Sequence, residues 1–487
     1  FGSKLFEIIF KNYFKSIVMQ IFREIIAKNI GMRFLYDSIE MNSSLGRVLL
    51  LNSPFEKDID KLTCEFENIE ILVELLKNES YSLNFNKIKH ELFQIHNILN
   101  TLARLEDGAV LDDIELFEVK KTALSLQQIR AQLEHLPLND QFYFLDMSEI
   151  ISLLDPEGNR LPHFYIYTCY DPRLAHLRAA LESAQTEEER IRAQLNCVAV
   201  EDEVRKKLSE QLIRYARTLR GNLELSAYLD LLIAKAELAI RWNCTRPIIS
   251  ESQLSFVGLE NPLVKDRLVK AGKSFQPIDI ELKQQPVLIT GSNMSGKTVF
   301  LKSVALAQLM FQYGFFVPAK NAEMALVDEV LTSIGDQQSE VSGLSSYCVE
   351  ILTINHIIKE AKSGKKLLVL VDELARTTNP SEGKALVAAF VRLLSDYHLF
   401  TIVTTHYDIH EVNCRRLRVK GLDVSRIREK LTPYNINMYM DYALEETDEV
   451  TVPTEALNIA KIFRVDEEFL QIASSLYAIS DSLKSPQ

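Results

Sequence analysis

From Ile59 to His135 apolar residues recur at intervals of three and four, as at Leu92, Ile95, Leu99 and Leu102. That spacing draws one apolar stripe down a helix, and Asp107-Gly108 supplies a break, so helices stacked on one another are expected here. Residues 1 to about 40 also read as helix. Leu5 to Ile30 is apolar enough to suggest a signal or membrane segment, yet Lys11, Lys15, Arg23, Glu24 and Lys28 interrupt it, which favours an amphipathic helix outside the membrane. Pro54 starts a new element. Gln141 to Tyr170 reads differently: Phe142-Tyr-Phe-Leu, the turn signal Asp155-Pro-Glu-Gly158 and Phe164-Tyr-Ile-Tyr167 predict a few short extended pieces.

Asp171-Pro172 then opens a helix with Leu174, Leu177 and Leu181 on one face, and the polar run Thr186 to Arg192 carries it outward as a solvated face. After Asn196-Cys-Val-Ala-Val200 a second helix returns through Val204, Leu208, Leu212, Tyr215 and Leu219. Two long antiparallel helices with a very short tip are therefore predicted. From about Trp242 strands alternate with helices, the pattern of a parallel sheet, with strand candidates at Val287 to Thr290, Leu367 to Val371 and Phe400 to Thr404. No internal repeat or low-complexity linker separates the halves. The boundary falls near 245, giving a helical domain over 1–245 and an α/β domain over 246–487.

The first of those strands runs into Gly291-Ser-Asn-Met-Ser-Gly-Lys-Thr298, and helical periodicity follows at Val299, Leu301, Ala305 and Leu309. Strand, glycine loop with the G-x-x-x-x-G-K-T spacing, and helix are the parts of a phosphate-binding P-loop. Gly291 and Gly296 let backbone N–H groups of Ser292, Asn293, Met294 and Ser295 wrap phosphate oxygens at a helix N-terminus. Lys297 would reach the β- and γ-phosphates of ATP, and Thr298 would offer its hydroxyl to Mg²⁺.

The strand Leu367 to Val371 ends in Asp372-Glu373. In a nucleotide hydrolase, Asp372 would hold Mg²⁺ through water and Glu373 would orient and deprotonate the attacking water. Four apolar residues before two acids mean little alone; downstream of a P-loop they mark a nucleotide site. A third strand ends in Thr404-Thr-His406, where a histidine can sense the γ-phosphate, or can simply be a satisfied strand-end side chain.

Composition narrows the partners. The net charge is −12, so any nucleic-acid contact must come from a local patch. Arg415-Arg-Leu-Arg-Val-Lys420, with Arg426, Arg428 and Lys430, is the one basic stretch, and it reads as solvated or dimer-facing strand and turn. The six cysteines carry no C-x-x-C pair, which argues against a zinc site or disulfide framework and fits a cytoplasmic protein. The chain begins with Phe rather than Met, which leaves its natural start open.

Taken together, Thr290-Gly-Ser-Asn-Met-Ser-Gly-Lys-Thr298, Tyr313-Gly-Phe-Phe-Val-Pro-Ala319, Ile334-Gly-Asp-Gln-Gln-Ser339, Asp372 to Gly383 and Thr404-Thr-His-Tyr407 resemble the ATPase domain of the MutS family, nearest its second bacterial branch. The resemblance is tight from about 255 to 410 and looser through Val452 to Ala460. It implies a fold of α + α/β class: a helical core and lever domain followed by a P-loop ATPase domain of ABC type, with a C-terminal helical dimerisation segment. It also implies a homodimer or heterodimer with ATP between subunits. Leu344-Ser-Ser-Tyr347 matches the family signature that would bring Ser345 to the γ-phosphate of the opposite subunit's ATP. Ala375 and Thr377 stand where the family usually has glycine.

The family's mismatch-reading domain and nuclease-like tail have no counterpart in this sequence, and Phe66-Glu67 is coincidental. The clamp that DNA-binding relatives carry near 187–203 is almost absent. By family, a DNA-binding mismatch-repair or recombination ATPase is expected. The alternative is an ATP-driven remodeller of a protein client, such as the reactivase of cobalamin-dependent lysine 5,6-aminomutase that short relatives are thought to be.

Overall fold

The computed structural model describes residues 21–138, 142–291, 295–335, 346–376, 378–423, 425, 427, 435–448, 457, 460–461, 463 and 465–482. They divide into two compact units, one drawn from Phe1–Ser38, Pro54–Phe66 and Ala239–Gln487, the other from Ile39–Ser53 and Glu67–Leu238. The first helices are α1 (Phe22–Lys28), α2 (Ile30–Ser38), α3 (Ser44–Leu51) and α4 (Ile59–Lys77), and residues 1–20 of the expected N-terminal helix lie outside the described residues.

The second unit is helical: α5 (Ser82–Gln94), α6 (Leu99–Glu106), α7 (Asp113–Leu133), α8 (Ser148–Leu154), α9 (Arg173–Ser183), α10 (Glu187–Leu212) and α11 (Ala216–Trp242). The three-and-four spacing buries Leu92 on α5 and Leu102 on α6, whereas Ile95 is buried in the non-helical break between those two helices. The fully buried Asp230 on α11 accepts hydrogen bonds from the Ser43 hydroxyl (2.6 Å), the Ser43 N–H (2.7 Å) and the Asn42 amide side chain (2.9 Å). A carboxylate so surrounded pins the start of α3 to α11.

Two expectations fail here. Gln141 to Tyr170 contributes no strand among the described residues; a short helix, α8, occupies its middle, and the aromatic segments run as coil with Phe144, Phe164 and Tyr167 buried. Nor does the polar run after α9 continue that helix. Thr186 accepts from the Glu189 N–H and Glu189 reaches back to the Thr186 N–H, a capping box that starts α10 at Glu187. The pair is therefore unequal, 11 residues against 26, and the acidic run sits at the favourable positive end of α10.

The α/β unit holds β1 (Ile248–Ser250), β2 (Gln253–Leu259), α12 (Pro262–Lys270), β3 (Ile278–Lys283), β4 (Pro286–Thr290), α13 (Lys297–Gln312), β5 (Asn321–Ala325), β6 (Glu329–Ser333), α14 (Ser346–Lys362), β7 (Leu367–Asp372), α15 (Pro380–Leu394), β8 (Phe400–Thr405), β9 (Arg415–Leu422), β10 (Met440–Glu446) and α16 (Glu467–Ser482). A six-stranded sheet runs in the order β10-β9-β4-β8-β7-β6, parallel except for β10. Its central strands β4 and β8 are buried along their whole length, as strands covered on both faces must be. Leu288, Val369, Val371 and Val403 pack with Ile354 and Ile357 of α14 and with Val387 and Phe390 of α15. A separate four-stranded sheet, β1-β5-β2-β3, was not anticipated, although β3 alternates buried and exposed positions in the pattern of a half-covered strand. No helix of the described residues is long and apolar enough to cross a membrane.

Helix α13 is buried almost all round, so its two glutamines need internal partners. Gln308 donates to the Gln312 side chain (2.7 Å) and to the Ala325 carbonyl (3.0 Å). Gln312 donates to the carbonyls of Glu56 and Val327 (2.9 Å each) and accepts from the Val327 N–H (3.1 Å). The far end of the helix is thereby tied to the turn between β5 and β6. Replacing Gln312→Leu strands several of these groups and should lower stability by about 3 kcal/mol, read as an earlier urea midpoint.

Candidate active site

Parallel pairing sets the site. Thr290 lies beside Thr405, and Asp372 beside Thr404, so β4, β8 and β7 end together at the carboxyl edge of the sheet. Ligands of open parallel sheets bind at that edge, where loops leave in opposite directions. The loop after β4 enters α13 through Gly296, whose φ is +84°. A Cβ there would lie 2.9 Å from the Tyr442 ring, so both backbone and space demand glycine. Ser292, Asn293 and Met294 lie outside the described residues.

Lys297, only 5% exposed, donates to the Gly291 carbonyl at 2.7 Å, and its Nζ stands 3.5 Å from Glu373 Oε1. The Ser295 hydroxyl is buried with no hydrogen-bond partner among the described residues. A buried cation and an unsatisfied hydroxyl at a helix N-terminus fit the oxygens of a phosphate.

The Asp372 carboxylate accepts from the Thr298 hydroxyl at 2.5 Å and from the Thr404 hydroxyl at 2.6 Å. Thr404 in turn accepts from the Glu373 N–H at 3.1 Å. These hard oxygens, hydroxyl and carboxylate, suit Mg²⁺ better than a softer metal. Glu373 is mostly buried between Lys297 and Arg376, whose Nη1 is 3.3 Å from its Oε2. His406 is open to solvent beside Tyr407, with ring centroids 4.2 Å apart. Partial desolvation lowers its pKa, Glu373 opposes that, and Lys297 and Arg376 reinforce it. Ser345 lies outside the described residues; α14 begins at the next position.

The structure thus brings Lys297, Thr298, Asp372, Glu373 and His406 to one edge. It adds roles that the sequence did not mark. Thr404 is hidden in an apolar strand, and only pairing with β7 reveals its role. A cavity of about 740 Å³ opens beside Ser295, Gly296 and Lys297, walled by Phe275, Met440 and Tyr442. Its apolar and aromatic walls suit a flat base attached to the phosphates. Phe275 and Tyr442 lie far apart in the chain, and no local pattern flags them.

Residues 287–478 match MutS domain V. That domain is an ATPase domain. A DNA mismatch repair protein MutS of Thermus thermophilus is 36% identical over 231 residues, 47% of this chain and 27% of that protein. Endonuclease MutS2 of Lacticaseibacillus casei is 35% identical over 219 residues, 44% of this chain and 27% of its own length. The MutS of Myxococcus xanthus is 33% identical over 251 residues, covering 50% and 28%. The chain therefore spans little more than a quarter of the length of these relatives, and their similar identities do not separate the two branches.

Removing the cation of domain V tests the phosphate pocket. Lys297→Ala should weaken ATP binding roughly tenfold to a hundredfold, measured by titration with a fluorescent nucleotide.

Proposed function

We propose that this chain is a dimeric ATP-driven switch of the MutS type, most akin to the second bacterial branch. The observation that carries this is the 2.5 Å bond from Thr298 to Asp372, which joins the P-loop helix to the acidic strand beside the buried Lys297. Lys297 and the N–H groups at the start of α13 bind the β- and γ-phosphates of ATP. Thr298 and Asp372 hold Mg²⁺, which supplies charge neutralisation when bound. Glu373 orients the attacking water and takes its proton, and His406 reads the terminal phosphate. The base of the nucleotide enters the cavity beside Phe275.

Ser345 of a second copy closes the site, so that ATP holds two subunits together until it is hydrolysed and the helical domain then moves. Helix α16 supports pairing, since Phe469, Ile472 and Leu476 follow helical spacing and are all exposed. The domain boundary near 245 belongs to the same reading.

The relatives are named for DNA repair and endonuclease action, which makes DNA the first client. One observation favours a protein client instead. The basic strand β9 is engaged within the fold: Arg415 pairs with Glu446 at 2.7 Å, Arg416 donates to the Val412 carbonyl at 2.7 Å, and Lys420 faces Asp441 at 3.8 Å. Cations so committed make a poor phosphate track.

Two measurements separate these readings. A DNA mobility assay at two salt concentrations should give submicromolar binding that weakens steeply with salt if DNA is the client; no binding at low salt moves the client to protein. Glu373→Gln should leave ATP affinity intact and slow turnover by on the order of a hundredfold; unchanged turnover would remove the base role.

A further inference from the structure

The turn that carries Glu373 is strained. Glu373 has φ +50° and Ala375 has φ +60°, two side-chain-bearing residues in left-handed conformation within three positions. Such geometry survives only where neighbours over-determine it, and it gathers at sites that use it. At one end of the turn the restraint is the site itself, since the Glu373 N–H donates to Thr404, both to its carbonyl and to its hydroxyl.

At the other end the restraint comes from outside the phosphate site. The Ala375 N–H donates to Oε1 of Glu350 at 3.0 Å, and the Ala375 carbonyl accepts from the Tyr407 hydroxyl at 2.8 Å. Ala375 is fully buried, so both of its backbone groups depend on these two side chains and on a long bond from the Thr378 N–H to the carbonyl, 3.3 Å. Glu350 comes from the second turn of α14, and Tyr407 from just beyond β8. Room for the tyrosine is provided by Gly383 on α15, where a Cβ would stand 2.5 Å from the hydroxyl. Burial pushes the Glu350 carboxyl above its ordinary value, and the hydrogen bond from the Ala375 N–H offsets only part of that.

We propose that Glu350, with Tyr407, is a positioning residue for hydrolysis: its carboxylate holds Ala375 in left-handed conformation and so aims Glu373. Neither side chain touches phosphate or water in this role. The inference rests on Glu373 being the base, and it goes further by making turnover depend on an acceptor carried by a different helix. It also gives alanine at 375 a meaning. Glycine adopts positive φ without strain, so a glycine there would need the clamp less.

The test is steady-state ATPase kinetics with nucleotide affinity measured in parallel. Glu350→Leu should cut kcat about tenfold with ATP affinity within twofold of the parent, while Glu350→Gln, which keeps a carbonyl acceptor, should recover most of that loss. Tyr407→Phe should cut kcat by a smaller factor, about threefold. Adding Ala375→Gly to Glu350→Leu should restore turnover at least threefold, and adding it to Glu373→Gln should restore none. Unchanged kcat in Glu350→Leu, beside a Glu373→Gln variant that is slow, would overturn the clamp and leave the base standing. Fast turnover in Glu373→Gln would remove the base itself. A loss in Glu350→Leu that neither glutamine nor the glycine at 375 repairs, or that comes with lost nucleotide affinity, would also overturn the proposal.

Discussion

One carboxylate organises the α/β unit. Asp372 ends β7 and accepts hydrogen bonds from the hydroxyls of Thr298 at the start of α13 and Thr404 near the end of β8. Three elements brought together by parallel pairing are thereby stitched at one edge, and each contributes an oxygen. The stitch works because β8 lies between β4 and β7 and the register sets Thr404 directly beside Asp372. A one-residue slip would turn every side chain of the strand to the opposite face and unmake the arrangement.

Around that edge the site is built from buried polar groups, which makes it demanding. Lys297 sits inside the fold with the Gly291 carbonyl and Glu373 as neighbours, and the buried Ser295 hydroxyl has no partner among the described residues. Unsatisfied polar atoms are costly in the interior, so a place that keeps one is poised for a ligand that satisfies it. The same pattern recurs at the acidic turn, where left-handed Glu373 and Ala375 are held by Thr404, Glu350 and Tyr407 rather than by their own preference. The P-loop helix and the acidic turn thus share one neighbour, β8, which supplies Thr404 and leads into His406 and Tyr407.

The helical unit differs in kind. Its helices are held by apolar stripes and by a few buried polar anchors such as Asp230. The stripes were legible because helical spacing is a local property of the chain. The start of α10 is hidden in the sequence because Thr186 and Glu189 fall within a charge run, although their three-residue separation lets each satisfy the other's N–H. The aromatic segments before α9 look like strands from composition alone. They form no ladder because strand propensity expresses itself only when a partner edge is available.

By itself the sequence determined the P-loop spacing, the apolar strands read as ending at Thr290, Val371 and Thr404, the helices with regular stripes, and hence the family resemblance. All of these are local: a glycine at a fixed offset, or an apolar run ended by an acid, carries its meaning within a dozen residues. Tertiary structure alone decided that Thr404 joins Asp372, that Phe275 and Tyr442 wall one cavity, that Glu350 reaches the turn of Glu373, and that a second sheet exists. Each of those depends on strand order and register, which bring distant residues together through pairings that no window of the chain encodes.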